Sequence, residues 1–424
     1  MNMIHQQQNH AHTPPAWGAI FSMALGVVVL IASEFMPVSL LTPIAHDLTL
    51  SQGQAGQAIS VSGLFAVLTS LLNTPLTGHL DRKKILLAFT LLLTVSGLMV
   101  TFAINGIMFM AGRALLGVAI GGFWSMSTAT VMRLVPTYAV AKGLALINGG
   151  NALAATVAAP LGSFLGQYIG WRGSFFVVVP LAVMAFIWQW RSIPSMPGNK
   201  KQAGSANPFV LLRVPQVALG MTGIVFLFMG QFAIFTYLRP FLEEITQVSV
   251  TQLSLTLLAL GLFGLLGTWA IGHLLQTRLY AWLISIPLMM ALLAGLLIVL
   301  GSTFPAAVTL LALWGLIATP APVAWGLWLS RAVPDNAEAG GGLMVAVIQL
   351  AITLGAGIGG MLFDAVGWWS PFAFGLLLLL GSAIAAWLAY REWKGCIEVK
   401  PDVAVAGIAP RMKATSSIRK REQL

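Results

Sequence analysis

The chain has 424 residues, of which 58% are hydrophobic and only 8% charged, where a water-soluble domain carries about a quarter. So few charges exclude an aqueous surface, and 44 glycines with 14 tryptophans suit close helix packing in lipid and indole rings at its interfaces. A formal charge of +10 raises nucleic acid as a partner, so the placement of the bases decides what it means.

The first 16 residues hold His5, His10 and His12 but neither Lys nor Arg. The apolar run that follows is too long, and lacks the basic flank, for a cleaved signal peptide; the histidines read as a solvated tail. Runs of about 20 apolar residues cross ~30 Å of hydrocarbon at about 1.5 Å per residue. They fall near 17–43, 51–77, 84–104, 107–130, 142–168, 174–193, 216–239, 252–276, 280–301, 304–330, 338–363 and 370–390. These runs predict an all-α integral membrane fold of twelve transmembrane helices in two pseudo-symmetric six-helix bundles, 17–193 and 216–390. The stretch 194–215 holds Gly, Ser, Asn, Lys and Pro and reads as a linker, and 391–424 is a basic tail.

An even number of spans puts both tails on one side. The loops on that side hold eleven Lys or Arg residues, from Arg82, Lys83 and Lys84 to Arg331, and the C-terminal tail eight more, while the opposite loops hold Arg172 and Arg239. The positive-inside rule then makes the tails cytoplasmic, and Arg419, Lys420 and Arg421 suit anionic lipid better than nucleic acid. Two strings recur across the linker. Gly78-His79-Leu80 returns as Gly272-His273-Leu274, and Gly170-Trp171 with Phe175 returns as Gly367-Trp368 with Phe372. Their near-equal offsets point to a duplicated half, an architecture that encloses a midplane site.

Charges inside spans cost at least about 2.5 kcal/mol at the bilayer centre and mark function. Glu34 in span one and Arg113 in span four stand out, with Asp364 near an interface. A carboxyl removed from water can cycle its proton near physiological pH, whereas a guanidinium stays charged. Glu34 is therefore the candidate proton carrier and Arg113 its tuner; the competing reading is a fixed ion pair between them. Arg113 also begins a stripe with Gly117, Gly121 and Gly122 that clears one helix face. Gly78, Asp81 and Arg82 form a turn whose acid suits a conformational latch on a helix N-terminus of the other half. Pro160, Gly162 and Gly166 in span five allow a kink or close packing. Trp124, Asn148, Asn151, Gln231, Phe235, Tyr237, Trp325, Trp328 and Gln349 fit a cavity for a small neutral, planar solute; the same residue types also serve as helix-packing glue.

No phosphate-binding loop supports direct ATP drive. The histidines lack metal-ligand spacing and Cys396 is the single cysteine, so the sequence implies no cofactor, no metal and no enzyme chemistry.

From Trp17 to Tyr390 the chain resembles the major facilitator superfamily, specifically its twelve-helix drug:proton antiporter branch. Gly78 with Asp81-Arg82 is similar to that family's loop-two signature, and Arg113 with Gly117 and Gly121 to its span-four signature. Pro160 with Gly162 and Gly166 resembles the antiporter signature of span five, and Glu34, nine residues before Pro43, the span-one acid. Two positions depart: no glycine separates Arg82 from the following bases, and Ala159 stands where glycine precedes the proline. EFMPVSLLTP (34–43), GGFWSMS (121–127), MRLVP (132–136), GQFAIFTYLRP (230–240) and VAVIQL (345–350) resemble the bacterial purine ribonucleoside efflux permeases. The resemblance implies a monomeric inner-membrane exporter exchanging protons for purine ribonucleosides such as inosine or guanosine by alternating access. Sugar or drug export is the neighbouring alternative.

Overall fold

The computed structural model describes residues 16–77, 79–197, 208–333 and 337–398. Gly78, the three N-terminal histidines and the basic cluster around Arg419 lie outside them. The elements among the described residues are all helices. The first four spans are α1 (Trp17–Asp47), α2 (Gln52–Thr77), α3 (Arg82–Thr101) and α4 (Gly106–Leu134). A 53-residue helix, Val140–Ser192, follows. At 1.5 Å per residue it would measure about 80 Å, well over twice the hydrocarbon thickness. It turns at Gly170 (φ 71°, ψ 170°) into α5 (140–169) and α6 (171–192). The second set is α7 (Pro215–Glu244), α8 (Val250–Ile271), α9 (Arg278–Leu300), α10 (Phe304–Ala332), α11 (Ala337–Val366) and α12 (Ser370–Glu398). Eleven helices are long and apolar enough to span, and the turn at Gly170 divides one of them into two.

Several helices run past the apolar stretches, because hydropathy marks the hydrocarbon while the helix continues to its cap. Asp81 caps α3 by accepting from Lys83 N, Asn105 caps α4 through Met108 N, and Ser249 with Gln252 forms a capping box on α8. Two spans are interrupted inside the stretches that hydropathy joins. Tyr237 breaks α7 before the short helix Leu238–Glu244, and Thr319-Pro320 breaks α10.

Gly170 and Gly367 both take positive φ, 71° and 114°, at the turns into α6 and α12. Trp171 meets Phe175 edge-on at 6.3 Å, and Trp368 meets Phe372 edge-on at the same 6.3 Å. Both turns thus pair a positive-φ glycine with an edge-on Trp–Phe contact. Two hydrophobic cores follow the same division: one runs from Ala19 to Met196, and the other from Val217 to Ala386 with Val38, Ile59 and Ala159 added from the first set. Below, the tail end is the one where residues 16 and 398 lie; the far end is its opposite.

Candidate functional site

Pro37 and Pro43 set the chemistry of α1. A proline has no N–H for the carbonyl four residues back, so Ser33 O and Ser39 O lose their helical partners. Where lipid replaces water, another donor has to reach them. Arg113, fully buried, donates from Nη1 to Ser33 O at 2.6 Å and from Nη2 to Glu34 O at 3.2 Å. Its Nη2 also donates to Ser62 Oγ at 3.1 Å, and its Nε to Ala58 O at 3.1 Å. The guanidinium therefore clasps the backbones of α1 and α2. Gly117 and Gly121 continue its stripe at one-turn steps, and a Cβ at either would overlap the Ser62 or Ala66 carbonyl. Residues 113, 117 and 121 of α4 thus lie against 58, 62 and 66 of α2.

Arg113 and Glu34 are neighbours but form no ion pair; the ion pairs among the described residues are Asp47 with Arg172 and Arg239 with Glu243. The fixed-pair reading of Glu34 and Arg113 does not match this geometry. The Glu34 carboxyl, 3% exposed, lies instead beside the Gln349 side chain on α11. Gln349 Oε1 on α11 and Gln231 Oε1 on α7 are both buried with no hydrogen-bond partner. Such an atom costs about 1–3 kcal/mol and calls for a donor from outside the fold. Phe35, next to Glu34, stacks near Phe232 (5.9 Å) and meets Phe235 edge-on (6.2 Å). A carboxyl, amide oxygens and aromatic faces thus gather where α1 meets α7 and α11.

The far end is sealed by contacts between the two sets of six. Arg239 donates to Ser39 O, the carbonyl freed by Pro43, and pairs through Nη2 with Glu243 at 2.7 Å. Asp364, at the end of α11, accepts from Gly53 N at 2.9 Å and from Ser51 Oγ, capping the positive end of the α2 dipole. Gln57 Nε2 donates to Gly357 O at 3.1 Å and Ser60 Oγ to Thr353 O at 2.9 Å. Thr156 O, freed in the same way by Pro160, abuts Gly261 of α8.

Residues 23–349 match the family model of the Major Facilitator Superfamily. The chain belongs to that superfamily. It is a multi-pass membrane transporter of this class. It is 50% identical over 380 residues to the transcription regulatory protein OpdE of Pseudomonas aeruginosa, covering 89% of this chain and 94% of that one. It is 44% identical over 374 residues to the purine ribonucleoside efflux pump NepI of Salmonella typhimurium, covering 88% and 94%. Among solved structures, a bacterial homologue of the human lysosomal transporter Spinster, inward-facing and unoccupied, superposes with a TM-score of 0.71 at 16% identity, covering 90% of this chain and 96% of that one. The human organic anion transporter MFSD10 gives 0.62 at 19% identity, covering 88% and 100%. These two structures share the superfamily fold.

Within it, the residues expected from sequence divide by position. Phe235 and Gln349 lie at the junction of the two sets, and Gln231 is half-buried on α7, four residues before Phe235. Tyr237 and Trp325 lie elsewhere than in a cavity wall. Tyr237, fully buried, donates to Ala356 O at 2.8 Å and wedges between Gly56 and Gly360 in the far-end seal, because both glycines leave room for its ring. Trp325 packs on Gly223 and, edge-on, on Trp328 inside the second core. Trp124 is half-buried against Phe123, Asn151 is half-buried, and exposed Asn148 turns its amide back to Leu144 O at 3.0 Å. Gly162 and Gly166 let α5 close on Ser39 and Leu40 of α1. Asp81 does not cap the other half here: besides Lys83 N it accepts from Ser195 Oγ at 2.5 Å and Met196 N at 2.9 Å, all within the first set. Arg82 N donates to Met196 O at 3.0 Å in the same tie.

Sequence reasoning put Arg239 and Asp364 toward the far end but gave neither of them, nor Ser39, a partner across the two sets. A signal was present. Two prolines in α1 orphan two carbonyls, and Arg239 and Arg113 are arginines placed away from the tail-end loops, at hand to serve them.

Proposed function

We propose that the chain exports purine ribonucleosides such as inosine or guanosine across a bacterial inner membrane in exchange for protons, as a monomer with both tails cytoplasmic. The observation that carries the coupling is the Glu34 carboxyl, buried at the junction of the two halves and free of any ion pair because Arg113 is spent on backbone carbonyls. Such an acid is able to hold a proton or face a substrate donor in turn. The unpaired oxygens of Gln231 and Gln349 suit ribose hydroxyls and base N–H groups, and the Phe35 and Phe235 faces suit a purine ring. The 44% identity to NepI supports the same cargo.

With the tails cytoplasmic, the sealed far end supports reading this state as inward-facing. Asp364 caps α2 from the end of α11, and Asp81 follows the opposite end of α2, facing the end where α11 begins. When the tail end closes, Asp81 takes the α11 N-terminus as Asp364 now takes that of α2. One antiparallel helix pair then carries both latches. One proton moving down 100 mV supplies about 2.3 kcal/mol, about a 50-fold gradient of cargo.

In everted vesicles with an acid interior, inosine uptake is expected from the native chain and lost in Glu34→Gln, while inosine counterflow without a gradient persists. Uptake unchanged in Glu34→Gln would refute the coupling role. The 50% identity to OpdE, by its name a regulator of transcription, favours a second reading as a sensor. Inosine binding to proteoliposomes without counterflow would support it.

A further inference from the structure

A second cleft lies away from the junction of α1, α7 and α11. At the tail end of the second half, α7, α9, α10 and α12 enclose a cleft of about 540 Å³. Arg278 and Arg331 line it, with Gln216, Tyr280, Trp328 and Tyr390, and no carboxylate among the described residues does. Neither arginine has an ion-pair partner among the described residues. Gln216 Nε2 donates to the Tyr280 hydroxyl at 2.9 Å, and Trp328 Nε1 donates to it at 3.1 Å. That oxygen accepts twice, and its own proton has no acceptor among the described residues. The cleft therefore presents two guanidinium groups and a fixed hydroxyl proton, all donors. Arginine forks match phosphate oxygens.

The walls of the cleft run on into the bilayer. Ile284, which lines it, is followed at four-residue steps by Leu288 and Leu292, exposed by 44% and 63%. Trp387 on α12 is continued by Ile384, Leu380 and Leu377, exposed by 59%, 38% and 66%. Two apolar stripes thus lead from the donors toward the membrane middle, where a free phosphate has no use for them and acyl chains do.

We propose that this cleft binds the phosphate headgroup of an anionic phospholipid from the tail-end leaflet, with its acyl chains along the α9 and α12 stripes. Each arginine near a membrane surface contributes about 1 kcal/mol toward anionic lipid, so two give about a 30-fold preference over zwitterionic lipid.

The test uses the full chain in detergent, with phosphatidylglycerol and phosphatidylcholine of equal acyl length in competition, and bound lipid counted by native mass spectrometry. The native chain and Arg191→Gln, a tail-end charge outside the cleft, are expected to retain phosphatidylglycerol about 30-fold better; the double variant Arg278→Gln/Arg331→Gln is expected to retain both lipids equally. Equal retention by the native chain, or an undiminished preference in the double variant, overturns the proposal. Thermal stabilisation by inorganic phosphate equal to that by phosphatidylglycerol assigns the cleft to a soluble ligand and overturns the lipid. If the double variant fails to fold, a photoactivatable phosphatidylglycerol on the native chain decides: crosslinks at Tyr390 and Trp393 support the site, and crosslinks spread evenly around the bundle refute it.

Discussion

Replacing Arg239 with methionine keeps the length of the side chain and removes its donors. In the sealed state this leaves Ser39 O, already deprived of a helical partner by Pro43, with no hydrogen bond. A hydrogen bond to a charged group contributes about 1.5–3 kcal/mol, so the ratio of sealed to open far ends should fall about ten- to a hundredfold. The freed Glu243, whose side chain is 23% exposed although its Oε2 is buried, costs the same with and without Pro43 and so cancels in the comparison below. Pro43→Ala supplies the test of the reason. Alanine restores the N–H for Ser39 O, so in that background Arg239→Met should shift the ratio by about threefold or less; the difference is the coupling term of a double-mutant cycle. Spin labels at Ile104 and Val366, exposed at the far end on opposite halves, report the two populations by electron–electron distance measurement. An Arg239→Met shift of the same size with and without Pro43 would refute the orphan-carbonyl account of this arginine.

The same logic at Arg113 predicts that Arg113→Met, which strips Ser33 O, is partly rescued by Pro37→Ala, read as the monodisperse fraction in detergent chromatography. Gly117→Val drives side-chain atoms into the Ser62 carbonyl; overpacking costs about 1–3 kcal/mol even where the backbone can shift, so the melting temperature should drop, whereas exposed Gly149→Val should leave it near native. Asp364→Asn weakens the α2 cap by about 1 kcal/mol and should move the far-end distances toward the open population about fivefold. At Asp81, burial pushes the carboxyl up, but the Ser195 hydroxyl, the Met196 and Lys83 N–H groups and the charge of Lys84 outweigh it and hold it below the usual carboxylate range. A depressed carboxyl stabilises the fold above its unfolded value and loses that contribution as pH falls through its folded value. The stability gap between the native chain and Asp81→Asn should therefore be constant at neutral pH and shrink below about pH 4; a gap that does not change there contradicts the assignment.

The spans, the duplication and the two intramembrane charges were legible because each is a local property of the chain. Runs of apolar residues answer to bilayer thickness, and the Gly170-Trp171 and Gly367-Trp368 strings encode the same positive-φ turn twice. Glu34 and Arg113 are conspicuous because a charge in lipid is costly wherever the chain goes. What those charges touch is not local. The choice of Arg113 for Ser33 O and not for the Glu34 carboxylate depends on the register of α4 against α2, fixed by Gly117 and Gly121 meeting carbonyls 55 positions away. Tyr237 and Trp325 show the same limit: an aromatic in a span reads alike whether it faces a substrate or fills a glycine notch, and only the helices packed opposite decide. The acid that caps a helix of the other half in this state is Asp364 and not Asp81, since both have the chemistry and the conformation determines which end of α2 and α11 is closed. Sequence set the solvent, the number of crossings and the residues that must find partners; the packing of twelve helices chose the partners, because hydrogen bonds in lipid are compulsory but their pairing is geometric.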